Sequence, residues 1–161
     1  MTVIDVTTST TERTLTLTAQ FGAPPERVWQ VWSDPRQLEL WWGPPTWPAT
    51  FEEHEATVGA RSSYVMTGPD GEKARGYWRV TRVEEPTRLE FDDGFADDDG
   101  NPVDSLGITH AVVTLAEVDG RTRMIVRSTF ESLEQLEQMV QMGMEEGMTQ
   151  AMGQIDALLA E

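Results

Sequence analysis

The chain of 161 residues has no cysteine, a single lysine (Lys73) and two histidines, His54 and His110. Without cysteine there are no disulfides, no thiolate nucleophile and no zinc knuckle. Neither histidine has a partner at metal-ligand spacing, so a zinc centre or a histidine-dependent triad is not expected, and His110 reads as a surface residue. No apolar run approaches the roughly 18 residues of a membrane span, and no basic segment leads into an apolar one, so a soluble cytoplasmic protein is expected. The Gly-x-Ser-x-Gly elbow, the phosphate-cradling glycine loop and the dinucleotide fingerprint are missing too. No cofactor, metal or catalytic residue is therefore assigned. Positive charge is scarce: 12 Lys and Arg face 28 Asp and Glu, a formal net charge of -16. That field repels phosphate backbones and anionic lipids, which argues against nucleic acid as a partner and against membrane insertion.

The acidity is concentrated in "FDDGFADDDGNPVD", where Asp92, Asp93, Asp97, Asp98, Asp99 and Asp104 crowd a stretch bounded by Gly94, Gly100 and Pro102. A solvated acidic loop is expected there. A weak divalent-cation site is the alternative, although the spacing lacks the alternating register and final glutamate of a calcium loop.

Residues 1–12 read as a flexible Thr/Ser-rich leader and residues 13–161 as one domain. Thr14 to Ala19 alternates as a half-buried strand. Pro24 and Pro25 open a helix, Asp34 caps a second short one, and Gly43 to Pro48 is a loop that carries Trp47 out of regular structure. From Phe51 to Phe130, turn signals punctuate a meander of strands. Period-2 reading puts Tyr64, Met66, Gly76, Trp78, Val80, Leu89, Phe91, Ala111, Val113, Leu115, Met124, Val126, Ser128 and Phe130 on one face. Arg75, Arg79, Arg88, Glu90, His110, Arg123 and Arg127 fall on the other, which should meet water. The fold class is α+β: an antiparallel sheet of about six to seven strands, two short helices after the first strand, and one long C-terminal helix.

That helix is expected to begin at a capping box, Ser132 with Gln135, and to run unbroken to about Ala160. Its stripe of Leu133, Leu136, Val140, Met144, Met148, Ala151, Ile155, Leu158 and Leu159 includes Gly143 and Gly147, each costing about 1 kcal/mol against alanine in a helix interior. Two glycines on a buried face permit either close contact of helix with sheet or a cavity between them. Methionines that re-pack around differently shaped guests favour the cavity. Its candidate lining is Trp42, Trp47, Tyr64, Met66, Trp78, Phe91, Phe95 and Phe130 from sheet and loops, with Met139, Gly143 and Gly147 from the helix.

"PPERVWQVWSDPRQLELWWGP", "YVMTGPDGEKARGYW", "EEPTRLEFDDGFADDDGNP", "VTLAEVDGRTRM" and "MGMEEGMTQAMGQIDALL" together resemble the bacterial single-domain homologues of the heat-shock protein 90 ATPase activator. These belong to the START-like, helix-grip (SRPBCC, polyketide-cyclase-like) superfamily. The resemblance implies a curved sheet gripping the C-terminal helix around an apolar cavity, and relatives across the superfamily that bind hydrophobic molecules. Where the family often shows an acidic residue, then Arg two positions on, then Gly-Gly, this chain has Glu55, Thr57, Gly59 and Ala60, so no role for that arginine carries over. Ser62 stands where a larger apolar residue is common, which would widen the cavity. The leading expectation is binding of a small hydrophobic molecule, with no reaction assigned. One alternative is a cavity enzyme of the cyclase, hydrolase or dehydratase type with Glu53, His54, Glu55 or Tyr64 as acid or base. The other is an interaction protein that docks a chaperone or a second copy of itself as a homodimer.

Overall fold

Alternating β-branched and aromatic residues between turn signals build one eight-stranded antiparallel sheet in the order β1-β2-β8-β7-β6-β5-β4-β3. The structure, a computed structural model, describes residues 3–103, 105 and 107–160. The strands are β1 (Val3–Ser9), β2 (Thr14–Phe21), β3 (Ala49–Glu53), β4 (Arg61–Thr67), β5 (Lys73–Glu84), β6 (Arg88–Ala96), β7 (Ile108–Val118) and β8 (Arg121–Phe130). Helices α1 (Pro25–Ser33) and α2 (Pro35–Leu38) carry the chain from β2 to the far edge at β3. α1 starts on proline, whose fixed φ suits the first turn, and α2 is capped by Asp34, whose Oδ1 accepts the Arg36 N–H at 2.9 Å.

The expected leader is a correction. Val3–Ser9 forms edge strand β1, in register with β2 from Thr8↔Leu15 to Asp5↔Thr18, and this gives the eighth strand. Its threonines suit an extended backbone, and Thr8 Oγ1 donates to Glu145 Oε1 at 2.7 Å, tying the strand to the C-terminal helices.

Cross-strand partners share a face, so the sheet can be read in rows. Ser62, Trp78, Asp93, Thr109 and Phe130 form one row, Val80, Phe91, Ala111, Ser128 and Leu15 the next, and Val113, Val126 and Leu17 another. Trp78, Val80, Phe91, Ala111, Val113, Val126, Ser128 and Phe130 are the inward positions expected from the alternation, and Asp93 and Thr109 join them. Trp78 stacks on Phe91 with centroids 3.8 Å apart and planes 14° apart, and Trp32, Trp41 and Phe51 complete an aromatic core. The polar face carries His110 between Asp92 (2.7 Å) and Glu90 (3.2 Å).

The C-terminal segment departs from expectation in a way that explains its glycines. It is three consecutive helices, α3 (Leu133–Gln141), α4 (Met144–Gly153) and α5 (Ile155–Leu159), rather than one. The cap at its start is as expected: Ser132 Oγ accepts the Gln135 N–H at 3.1 Å, while Gln135 Oε1 accepts the Glu131 N–H at 2.7 Å. The break falls at Gly143, which has φ 87° and ψ 24°, the left-handed region that side chains resist. Gly143 is exposed and a Cβ there would meet nothing within 4 Å, so its role is a bend and not close packing on the strands. Gly147 is an ordinary helical residue whose Cβ would also enter open space. Gln154 Nε2 donates to the Gly43 carbonyl at 2.8 Å and Arg27 donates to the Leu158 carbonyl at 2.8 Å, which anchor the end of the segment to the loop after α2 and to α1. None of the helices among the described residues is long and apolar enough to cross a membrane.

The two glycines should therefore respond oppositely to alanine. Gly143→Ala should destabilise by about 1 to 2 kcal/mol, the cost of a side chain in the left-handed region. Gly147→Ala should stabilise by up to about 1 kcal/mol through helix propensity. Urea denaturation of the two variants beside the wild type measures both; a loss at Gly147 would mean that its backbone is packed against something.

Candidate functional site

Bending at Gly143 holds α3 and α4 across the sheet without closing on it, and a cavity of about 320 Å³ lies between them. The sheet supplies Tyr64, Met66, Phe91, Phe95, Ala111 and Val126; the helices supply Met139, Met142, Met144, Met148, Ala151 and Met152. Trp32 from α1 and Trp41, Trp42 and Pro44 from the loop after α2 close one end. Among the described residues the lining is dominated by aromatic rings and thioethers, with hydroxyls from Thr109 and Ser128 and one carboxyl, Asp93.

Of the residues expected at the site, Trp42, Tyr64, Met66, Phe91, Phe95, Met139, Gly143 and Gly147 lie in this wall. Three do not. Trp78 points to the same face but is wholly buried beneath Phe91, so its ring is core. Phe130 belongs to a smaller cluster with Leu15 and Leu136. Trp47 lies in its expected loop but packs over Gly68, where a Cβ would come within 2.7 Å of its ring, outside the cavity.

Asp93 is the residue that sequence reasoning missed. Grouped with the acidic stretch, it was expected in a solvated loop, yet Asp92 and Asp93 both belong to strand β6. Leu89, Phe91, Asp93 and Phe95 alternate, and carrying the period-2 reading past Phe91 would have turned Asp93 inward. The rest of the stretch does form a turn: Asp97 Oδ1 accepts from the backbone N–H of Asp99 (3.0 Å) and Asn101 (2.9 Å). Asp104 lies outside the described residues. Among those described, no group of three or more His, Asp or Glu side chains is arranged to hold a metal ion.

Tyr64 Oη donates to Asp93 Oδ1 at 2.8 Å. The phenol comes from β4 and must cross β5 to reach β6, which Gly76 permits: a Cβ at that glycine would collide with the Tyr64 ring and hydroxyl. Burial pushes the Asp93 carboxyl up to about 7, partly offset by the Tyr64 hydrogen bond. The Tyr64 phenol is raised well above its ordinary value by burial first and by the Asp93 charge second. Trp42 Nε1, buried beside this pair, makes no close hydrogen bond.

The acids and bases expected near Glu53 lie elsewhere. His54 is half-buried behind the wall, its Nε2–H donating to the Trp32 carbonyl at 2.8 Å while Nδ1 accepts from Ser62 Oγ at 2.6 Å. Burial lowers its pKa, so it serves as a neutral brace between α1 and β4. Ser62, expected to widen the cavity, is fully buried in that brace.

A raised carboxyl has a signature in stability. The folded state holds the Asp93 proton more tightly than the unfolded chain, with its ordinary value of 3.8, so this stabilising contribution is complete below about pH 4 and is lost as pH rises through about 7. Asp93→Asn should therefore match the wild type near pH 4, gain on it up to about pH 7, and keep a constant advantage above, at most about 4 kcal/mol. Thermal melting of both proteins across that range reads the curve; an advantage that shrinks with rising pH would refute a raised Asp93.

The sequence profile of the family described as Activator of Hsp90 ATPase homolog 1-like protein matches residues 22–160. No curated protein matches the chain significantly. Among solved structures, an NMR structure of a protein from Arthrobacter aurescens is 58% identical with a TM-score of 0.95, over 99% of this chain and 92% of the other. A crystal structure of a protein from Mycobacterium smegmatis is 50% identical with a TM-score of 0.91, over 98% and 96%. The AHSA1 protein of Silicibacter pomeroyi is 25% identical with a TM-score of 0.74, over 91% and 97%. With its helix-grip fold and a profile match spanning most of its length, the chain belongs to the Activator of Hsp90 ATPase homolog 1-like family.

Proposed function

We propose that the protein binds a small, mainly apolar molecule in the cavity between the sheet and helices α3 and α4. The observation that carries this reading is the wall itself: about 320 Å³ lined by tryptophan, phenylalanine and methionine side chains around few polar groups, within the usual range of small-molecule sites. Thioethers adapt their shape at little cost, and five methionines of α3, α4 and the bend between them face the space. A chaperone-associated role, which the family description also suggests, rests on that description alone. Glu53, His54 and Glu55, the acid–base candidates for an enzyme, are not part of the wall, and Tyr64 donates to Asp93.

Gly147 offers a clean test because it lines the cavity, has helical geometry and leaves open space where a side chain would start. Gly147→Leu should fill part of the volume and weaken an apolar fluorescent probe at least about tenfold, while helix propensity keeps the melting temperature at or above that of the wild type. Unchanged probe affinity in a stable variant would place probe binding elsewhere and defeat the proposal. Native mass spectrometry of freshly purified protein adds a direct readout, a small co-purifying mass that the same substitution removes.

A further inference from the structure

The cavity is mainly apolar, its hydroxyls are neutral, and its carboxyl carries a sign. Among the described residues Asp93 is the one acidic side chain in the wall, and no Lys, Arg or His lines it. Tyr64 occupies Oδ1, and Oδ2 has no hydrogen-bond donor among the described residues. Trp42 and Tyr64 stand beside it with ring centroids 5.8 Å apart at 75°, and Phe91 is 6.2 Å from Trp42. The protein thus holds an under-partnered carboxyl against aromatic rings in a site otherwise fit for hydrocarbon.

Consider what each kind of polar head would meet there. A carboxylate would bring a second negative charge against Asp93 with no cation to offset it. A hydroxyl would donate one hydrogen bond and leave the charge uncompensated. An ammonium would donate to Oδ2, neutralise the charge and gain from the neighbouring rings, which attract cations. Desolvation of Asp93 is already incurred in the folded protein, so pairing recovers part of that cost on binding. The long-range field acts in the same direction, since a net charge of -16 draws cations in and turns anions away.

We infer that the cavity, taken as the ligand site proposed above, selects an amphiphilic amine, its ammonium on Asp93 Oδ2 beside Trp42 and Tyr64 and its apolar body along the methionines of α3 and α4. Other ionisable groups do not compete for the role. Among the described residues Tyr64 on β4 is the other titratable side chain of the wall; cross-strand neighbours Trp78 on β5 and Thr109 on β7 are uncharged; Glu145 on α4 accepts from Thr8, and Glu146 is exposed. Asp92 points to the opposite face, on His110. Because burial raises the Asp93 carboxyl to about 7, recognition should strengthen as pH rises through neutrality.

Decylamine, decanol and decanoate share one apolar body and differ in the head, so their dissociation constants with the full chain, measured by tryptophan fluorescence below micelle concentrations, separate the possibilities. At pH 8.5 the amine should bind at least about tenfold tighter than the alcohol, with decanoate weakest. At pH 5.5, where the amine is still charged but Asp93 is protonated, that preference should shrink about tenfold. Asp93→Asn should bring the amine-to-alcohol ratio close to one. Decanol or decanoate binding tightest, or an amine preference that survives Asp93→Asn, would overturn the inference and leave the cavity reading standing. Failure of all three to bind would overturn the cavity reading and this inference with it. Should Asp93→Asn not fold, the wild-type pH series decides alone: an amine preference unchanged between pH 8.5 and 5.5 overturns it.

Discussion

The concave face of the sheet must be covered, and the segment that covers it bends. Leu17, Val80, Leu89, Phe91, Val113, Met124 and Val126 are almost wholly buried, so water is excluded from most of that face by α1, the tryptophan loop and the C-terminal helices. Ile155 and Leu158 bury themselves in the main core at one end of the segment, and Leu136 joins Leu15 and Phe130 at the other. Between these anchors lies Gly143 in the left-handed conformation, and there the helices bring methionines to the cavity. Apolar burial at both ends supplies the stability that lets the middle remain open.

The polar end of the cavity follows from the same packing. A tyrosine reaches across a strand only where that strand has no side chain, and Gly76 is the place where Tyr64 does so. The phenol then supplies the hydrogen bond that a carboxyl on the inner face of β6 requires. One partner is fewer than a buried carboxylate needs for full compensation, which is why burial dominates and the proton is retained to about 7. A stably folded domain keeps such a group when its core can absorb the cost, and here the stacked Trp78 and Phe91 and the buried Trp32 and Trp41 supply a large apolar reserve beside it.

The relation of this chain to its solved relatives is one of whole-domain similarity, with 50 to 58% identity to the Mycobacterium and Arthrobacter proteins. The family match begins at residue 22 and so leaves β1 and β2 outside it, although β1 here pairs with β2 from Ser9 to Asp5 and is tied to α4 through Thr8 and Glu145. The N-terminal strand thereby belongs to the same structural unit as the helices over the cavity. Helix α4 carries both Glu145, which accepts from Thr8, and the lining residue Met148.

Much of this was legible from residue order alone. Period-2 alternation placed Tyr64, Met66, Phe91, Ala111, Val126 and Ser128 on the inner face, because side-chain direction in a strand is a local property. Capping at Asp34 and Ser132 was readable for the same reason: one side chain meets the backbone two or three residues away. Strand β1 was not legible, since a threonine-rich edge becomes a strand only when β2 offers backbone partners. Nor was the bend at Gly143, because a glycine in a helical pattern can serve propensity, packing or a left-handed turn, and the pull of the two hydrophobic ends decides among them. Trp78 and Phe130 carry the same inward signal as Phe91, yet what lies above each ring decides whether it is core or wall. Asp93 marks the boundary most sharply: its alternation is written in the chain, but its charge suggested water, and only the sheet, the helices and the reach of Tyr64 over Gly76 determine that it lines the cavity.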